Sequence, residues 1–162
     1  EHPAKNVPKP KKPAGADEKS LKGLHLSIAF AVAATQYAYN TGDYSLLEQS
    51  SMSEPKRNYF LREEKERLDK TREGTFWPDN ITIEYTLTEE SPRIEGDGEY
   101  IWDREFIVEY GKFEVVDGKV EYHSDEDHDM IYRDIFKGNL TAQYINGAWI
   151  TSAVANQPKS KS

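Results

Sequence analysis

The stretch from Gly23 to Leu47 constrains the fold of this chain more than any other part of the sequence. It reads GLHLSIAFAVAATQYAYNTGDYSLL, with apolar residues on most sides of a helix, which is typical of a helix buried in a core. Gly42 predicts the end of this helix, because glycine readily adopts the left-handed conformation found there. We therefore expect one long buried helix that starts near Asp17 or Ser20 and ends near Asn40.

Two more helices are predicted before the strands begin. Asp43 can cap a short helix whose Leu46 and Leu47 pack on the core. A third, highly charged helix is expected from about Glu54 to Glu73, with a proline in its first turn and Gly74 at its end. Its charged residues are interpreted as a solvated face.

A run of antiparallel strands follows. The strongest pattern is the alternation of apolar and polar residues from Ile81 to Thr88, which has the period of two that a half-buried strand requires. The apolar parity shifts after Gly111, which predicts a β-bulge. Met130–Phe136 fits either a strand or a short helix, and we favour the strand. The other predicted elements are a loop at Ser91–Glu99, strands at Tyr100–Tyr110, Leu140–Ile145 and Ala148–Val154, a polar loop at His123–Asp129, and hairpin turns at Asp117-Gly118 and Asn146-Gly147.

Helices followed by many strands predict an α+β fold, with N-terminal helices packed on a curved antiparallel sheet. A bent sheet wrapped on a long helix would form a cone with an open end. Residues 1–22 contain four Pro and six Lys and are expected to be a flexible tether, either a spacer from a surface or simply a disordered terminus. We expect the domain at residues 23–156 and a disordered tail at 157–162.

Composition excludes several classes of function. The net charge is -8, and both termini are basic, so the body is strongly acidic and a nucleic-acid partner is not expected. There is no Cys, which excludes disulfides, thiol nucleophiles and Cys-ligated metals but leaves the redox compartment open. The apolar run at residues 24–34 is too short to span a membrane. No signal peptide is visible, and the start at Glu1 is interpreted as a processed or trimmed N-terminus.

The order of the predicted elements resembles the nuclear-transport-factor-2-like (NTF2-like) superfamily. Several short motifs resemble, within it, a family of actinobacterial, Gram-positive secreted lipoproteins of unknown function. The motifs span about residues 20–155 and are Tyr37-Ala38-Tyr39-Asn40-Thr41-Gly42-Asp43, Ser50-Ser51-Met52-Ser53, Asp117-Gly118-Lys119-Val120 and Tyr144-Ile145-Asn146-Gly147-Ala148-Trp149. The resemblance implies an NTF2-like cone and an extracellular position at the cell surface, anchored to the membrane through a lipid upstream of this chain. Members commonly carry a Cys pair after the Ser-rich segment, where this chain has Glu54-Pro55-Lys56-Arg57.

Aromatic residues and one arginine are the candidates for a ligand pocket at the mouth of the cone. A buried arginine requires an anionic partner, so Arg104 is expected to pair either with a ligand carboxylate or, in a structural ion pair, with Asp43 or Glu84. The predicted pocket residues are Tyr37, Trp77, Trp102, Arg104 and Tyr132.

Two further sets of residues are weaker candidates for chemistry. The loop with His123, Asp125, Asp127, His128 and Asp129 has the alternating oxygens of a calcium loop or the ligands of a zinc site, but a solvated hairpin loop explains it as well. Acid–base catalysis of the isomerase or cyclase kind would need a carboxylate and tyrosines inside the cone, for which Asp103, Asp134 and Tyr85 are candidates.

We expect a non-catalytic, acidic cell-surface domain that binds a small ligand or a protein partner at the cell envelope. The alternatives are a small NTF2-like enzyme and a scaffolding module whose cone is filled by its own side chains. A deep apolar cavity would favour ligand binding, whereas a polar cavity with a buried acid would favour an enzyme. No cofactor or nucleic acid is expected, and the chain is expected to be a monomer or a homodimer.

Overall fold

The helices precede all the strands in the computed structural model, which describes residues 7–87, 93–94 and 98–155. Helix α1 spans Leu21–Thr41, a short 3-10 helix spans Ser45–Gln49, and helix α2 spans Glu54–Glu73. The side chains of α2 are mostly charged, and only Leu68 and Thr71 are buried in it. All three helices lie where the sequence predicts them.

Local contacts fix both ends of α1. The Ser20 hydroxyl accepts a hydrogen bond from the backbone N–H of Gly23 at 3.0 Å and so caps its first turn. At the other end Gly42 has a φ of 80°, and its N–H donates to the Ala38 carbonyl at 2.7 Å. A Cβ at Gly42 would lie 2.4 Å from the Leu68 carbonyl oxygen, so α2 passes closer to this position than any side chain would allow.

The strands form two antiparallel sheets. In the larger sheet, β2 (Thr82–Leu87), β4 (Tyr100–Glu109), β7 (Arg133–Ile145) and β8 (Ala148–Ala155) lie side by side in that order, and the two-residue β3 (Arg93–Ile94) also pairs with β4. In the smaller sheet, β5 (Phe113–Val116) lies between β1 (Phe76–Pro78) and β6 (Lys119–Tyr122). The fold is therefore α+β, with curled antiparallel sheets that form a half-barrel.

Both predicted hairpin turns are present. Asp117 and Gly118 have φ angles of 51° and 80°, and Asn146 and Gly147 have 51° and 84°, which matches the two positive φ values of a type I′ turn. The predicted bulge at Gly111 is also confirmed. The N–H of Tyr110 donates to the carbonyl of Tyr132, whereas the N–H of Tyr132 donates to the carbonyl of Gly111, so two residues oppose one.

Helix α1 lies across the inner face of the larger sheet and is held there near both of its ends. Near its start, Leu24 and Ile28 pack in a cluster with Trp102 and Leu140. Near its end, the side-chain amide of Asn40 donates a hydrogen bond to the Ile81 carbonyl and accepts one from the Ile81 N–H, each at 2.8 Å. These contacts fix the distance between helix and sheet at two separated points.

The prediction of two strands between Met130 and Ile145 needs correction. Met130–Phe136 and Leu140–Ile145 are not separate strands, because one continuous strand, β7, runs from Arg133 to Ile145 and Met130–Tyr132 precede it. The pairing partner explains the length, since β4 is itself ten residues long and pairs with β7 throughout. In the predicted loop Ser91–Glu99, Arg93 and Ile94 pair with β4, whereas residues 91–92 and 95–97 lie outside the described residues.

Part of the N-terminal segment that precedes α1 packs against the folded body. Ala16 is fully buried, and its carbonyl accepts a hydrogen bond from the Ser27 hydroxyl at 2.7 Å. The indole N–H of Trp149 donates to the Glu18 carbonyl at 2.8 Å. Residues 1–6, at the start of the predicted tether, and 157–162, the predicted tail, lie outside the described residues.

Candidate ligand cavity

A cavity of about 250 Å³ lies between α1 and the inner face of the larger sheet. Its walls are almost entirely apolar, and the polar lining side chains are the hydroxyl-bearing residues Thr35, Tyr39 and Thr151. The lining residues are Ile28, Ala31, Val32, Thr35, Tyr39, Met52, Phe60, Ile83, Phe106, Val108, Leu140, Thr151 and Ala153.

The sequence of α1 explains why this space exists. The helix is fixed to the sheet near both ends, and the residues that face the sheet between these points include the small or short side chains Ala31, Val32 and Thr35. Short side chains fill little of the space towards the opposite strands, where Ala153 is also small. The gap therefore follows from a rigid attachment of α1 combined with small residues in its middle.

The threonine hydroxyls of the lining are already engaged with the protein. The Thr35 hydroxyl donates to the Ala31 carbonyl at 2.8 Å, and the Thr151 hydroxyl shares a hydrogen bond with Ser51 at 2.7 Å. No carboxylate or imidazole is among the described lining residues. The cavity thus has the walls of a binding site for an apolar group and no acid–base pair of its own.

Tyr39 lies at the end of the cavity nearest the C-terminus of α1. Its ring packs edge-on against Phe60, with centroids 5.6 Å apart, and the Arg67 guanidinium lies 5.6 Å from its centroid. Burial, followed by the nearby Glu64 carboxylate, raises the pKa of Tyr39. The phenol is therefore protonated at neutral pH and is available as a donor rather than as a base.

Arg104 is buried on the same inner face of β4 as the lining residue Phe106. It is 4% exposed, and its guanidinium carbon lies 4.4 Å from the Phe106 ring centroid. Nη1 donates to the Phe136 carbonyl at 3.0 Å, and Nε is enclosed without a hydrogen-bond partner among the described residues. Burial lowers the pKa of Arg104, but an arginine side chain remains charged at neutral pH.

The expected ion pair of Arg104 with Asp43 or Glu84 is wrong. Asp43 lies 3.7 Å from the ammonium of Lys9 and accepts a hydrogen bond from Ser45. Glu84 is exposed and belongs to the polar set of β2 residues on the outer face. No carboxylate of the described residues lies within ion-pair distance of Arg104.

The five residues predicted to form a pocket occupy different parts of the fold, and none of them lines the cavity. Tyr37 packs beside the 3-10 helix, and Trp77 is buried in the smaller sheet against Phe113. Tyr132 is 44% exposed. Trp102 is fully packed in the core beside α1, although it shares the inner face of β4 with Arg104. As a ligand site this set stays a prediction.

Sequence reasoning missed the residues that do line the cavity. The sequence predicts a pocket of mainly aromatic residues, whereas the small side chains Ala31, Thr35 and Ala153 define the space. A usable indication was present in β4, because Phe106 and Val108 follow Arg104 at intervals of two and therefore face the same side.

The acidic loop does not gather its candidate metal ligands. His128 stacks on Tyr122 with centroids 3.7 Å apart, and Asp129 lies 3.2 Å from the Lys112 ammonium. An Asp127 carboxylate oxygen accepts from the N–H of Asp129 at 3.0 Å, as in a tight turn. In the described part of the chain, which includes Asp125 and His123, no three potential ligands converge on one point.

The acid–base candidates also lie outside the cavity lining. Asp103 is exposed on the outer face of β4, where it pairs with Arg93 at 3.2 Å. Asp134 accepts a hydrogen bond from the Tyr132 hydroxyl at 3.2 Å. Burial raises the pKa of Tyr85, which packs against the core cluster of α1. None of the three is among the described lining residues, although Tyr85 and Asp134 are the cross-strand partners of the lining residues Phe106 and Val108.

The chain belongs to a family of unknown function, DUF6318, whose pattern matches residues 1–155. Among solved structures, the chain matches a periplasmic fragment of TraM, with 12% identity and a TM-score of 0.44; the match covers 86% of this chain and 99% of that chain. No curated protein matches the chain. Within the described residues, no helix has the length and hydropathy needed to cross a membrane.

Proposed function

We propose that this domain is a non-catalytic binding domain at the cell surface, and that it holds a small, largely apolar ligand between α1 and the larger sheet. The observation that supports the proposal is the cavity itself, with a volume of about 250 Å³ and apolar walls. A cavity of about 150 Å³ is enough to bind benzene. A ligand with roughly ten non-hydrogen atoms therefore matches the space.

The cell-surface position is supported by the resemblance to secreted lipoproteins and by the basic, proline-rich segment that precedes α1. The finer assignment to the NTF2-like superfamily is part of the same proposal. It is supported by the order of elements and by the half-barrel with a helix across its inner face. A lipid anchor upstream of this chain would then hold the domain at the membrane, and its position would give it access to small apolar molecules of the cell envelope.

Ligand binding is favoured over an enzyme by the chemistry of the cavity walls. An isomerase or cyclase mechanism needs a carboxylate or imidazole beside the substrate, whereas the described lining offers only hydroxyl groups as polar functions. It is favoured over a scaffold with a filled cone because the space beside Ala31 and Ala153 is not filled.

The test uses a neutral apolar fluorophore, N-phenylnaphthylamine, with the wild-type domain and two matched variants. Ala31 lines the cavity and Ala29 is exposed on the same helix, so Ala31→Leu fills the site while Ala29→Leu adds the same atoms outside it. We expect saturable fluorescence enhancement with wild type and Ala29→Leu, and at least a tenfold loss of affinity with Ala31→Leu. Absence of saturable binding, or equal binding by all three proteins, would contradict the proposal.

A further inference from the structure

Arg104 is a buried cation for which the protein supplies only part of the normal environment. Burying a charge is unfavourable unless it is paired and its hydrogen-bonding groups are satisfied. Arg104 is 4% exposed, but of its three nitrogens only Nη1 has a hydrogen-bond partner among the described residues, the Phe136 carbonyl. The aromatic face of Phe106 offsets part of the cost. A carboxylate, which is the usual partner of a buried guanidinium, is missing from its described surroundings.

The position of this cation is next to the cavity. Arg104, Phe106 and Val108 lie on one face of β4, and the latter two line the cavity. The residue opposite Arg104 on β7 is Gly138, which has no side chain, so the guanidinium reaches over β7 to the Phe136 carbonyl.

The inner face is not fully covered at this point. Phe136 is the cross-strand partner of Phe106 and therefore faces the same side, yet it is 39% exposed. In the described residues, β8 pairs with β7 only from Gly138 to Ile145, so the part of β7 that carries Phe136 has no neighbour on that edge. The inner face is therefore partly exposed to solvent at Phe136, next to the site of Arg104.

We propose that the ligand is a small monocarboxylate with an apolar body, whose carboxylate pairs with Arg104 while the body fills the cavity. This inference rests on the proposed function, because it assumes that the cavity is a binding site. The guanidinium of arginine presents donors in a fixed fork that matches a carboxylate. The small exposure of Arg104 fits a compact head group such as a carboxylate better than the larger diester head group of a phospholipid.

The experiment compares octanoate with octanol, which has the same number of carbon atoms and no charge, by titration into the wild-type domain and Arg104→Met. Binding is followed by amide chemical shifts and calorimetry. We expect wild type to bind octanoate about tenfold more tightly than octanol, because a hydrogen bond to a charged group contributes more than a neutral one. In Arg104→Met this preference should disappear or reverse, while octanol still binds.

A second measurement uses wild type alone and does not depend on the folding of the variant. Octanoate labelled with carbon-13 at the carboxyl carbon is titrated with acid in the bound state. Pairing with Arg104 would lower the pKa of the bound carboxyl below that of free octanoate, whereas an apolar site without a cation would raise it.

The outcomes separate the two proposals. Binding of octanol with equal or weaker binding of octanoate, or a raised pKa of the bound carboxyl, would refute the role of Arg104 and leave the apolar site intact. If neither compound binds, the proposed function fails and this inference fails with it. A preference for octanoate that Arg104→Met removes, or a lowered pKa of bound octanoate, supports the pairing.

Discussion

Replacing Ala31 by Leu tests whether the space between α1 and the sheet exists in solution, without any ligand. The substitution adds three carbon atoms to a lining residue of a cavity of about 250 Å³. Burying one methylene contributes about 0.8 kcal/mol, so complete burial of three would add about 2.4 kcal/mol. The ordered leucine side chain loses about 0.5–1 kcal/mol of conformational entropy. Because the cavity is partly open, we expect a net gain of about 1 kcal/mol in the free energy of unfolding.

The assay is urea denaturation of wild type, Ala31→Leu and the control Ala29→Leu, followed by circular dichroism. For a chain of this size, 1 kcal/mol corresponds to about 2–4 °C in Tm, which thermal scans can confirm. The exposed control should stay within about 0.5 kcal/mol of wild type. If the site were already packed, overfilling would cost about 1–3 kcal/mol. A loss of stability in Ala31→Leu alone would therefore refute the existence of the space.

Three further predictions concern the surroundings of the site. Gly42→Ala should destabilise the protein by at least about 2 kcal/mol more than Gly147→Ala. Both glycines have a similar positive φ, but of the two only Gly42 is closely approached by backbone atoms. Equal losses of stability in urea denaturation would argue against the close approach of α1 and α2. Burial raises the pKa of Glu64, so its ionisation opposes folding and stability is lost as pH rises above the ordinary carboxyl pKa. Glu64→Gln should therefore be more stable than wild type at neutral pH, and the difference should close in acid; a constant difference across the titration would contradict this. Arg104→Met should keep or raise the free energy of unfolding of the unliganded protein, because a buried cation with few partners contributes little to stability. A loss above about 2 kcal/mol in urea denaturation would show instead that Arg104 has a structural role.

The helices could be predicted because their ends depend on nearby residues. Ser20 caps α1 through a contact three residues away, and Gly42 ends it through its own backbone conformation. The turn at Asn146-Gly147 is equally local. The single strand β7 was divided in the prediction because its length depends on pairing with β4, which lies some thirty residues earlier in the chain. Pairing of this kind leaves little trace in a local pattern of apolar residues.

The candidate site was harder to predict for the same reason. A cavity is the volume between two packed elements that their side chains leave unfilled. The distance between the elements is set by contacts that are remote in sequence, such as the hydrogen bonds between Asn40 and Ile81. Trp102 is large and aromatic, and the sequence made it a pocket candidate, yet such a side chain packs best in a closed core. Arg104 differs, because a cation among apolar neighbours on a strand is visible in the sequence and marks a conflict with the local pattern.

That conflict is the strongest reason to connect Arg104 with the cavity. Selection for stability alone would favour larger residues at positions such as Ala31 and an apolar residue at position 104, since both changes bury more apolar surface. The second change also removes a charge that has no carboxylate partner among the described residues. The chain has neither. Departures from local rules that lower stability are expected where a protein binds or reacts. Here two of them lie together, because the guanidinium of Arg104 rests on Phe106 and Phe106 lines the empty space. An apolar ligand with an anionic head would fill the empty space and also pair with the guanidinium. A neutral ligand would fill the space only, and a closed core would provide no partner for the charge.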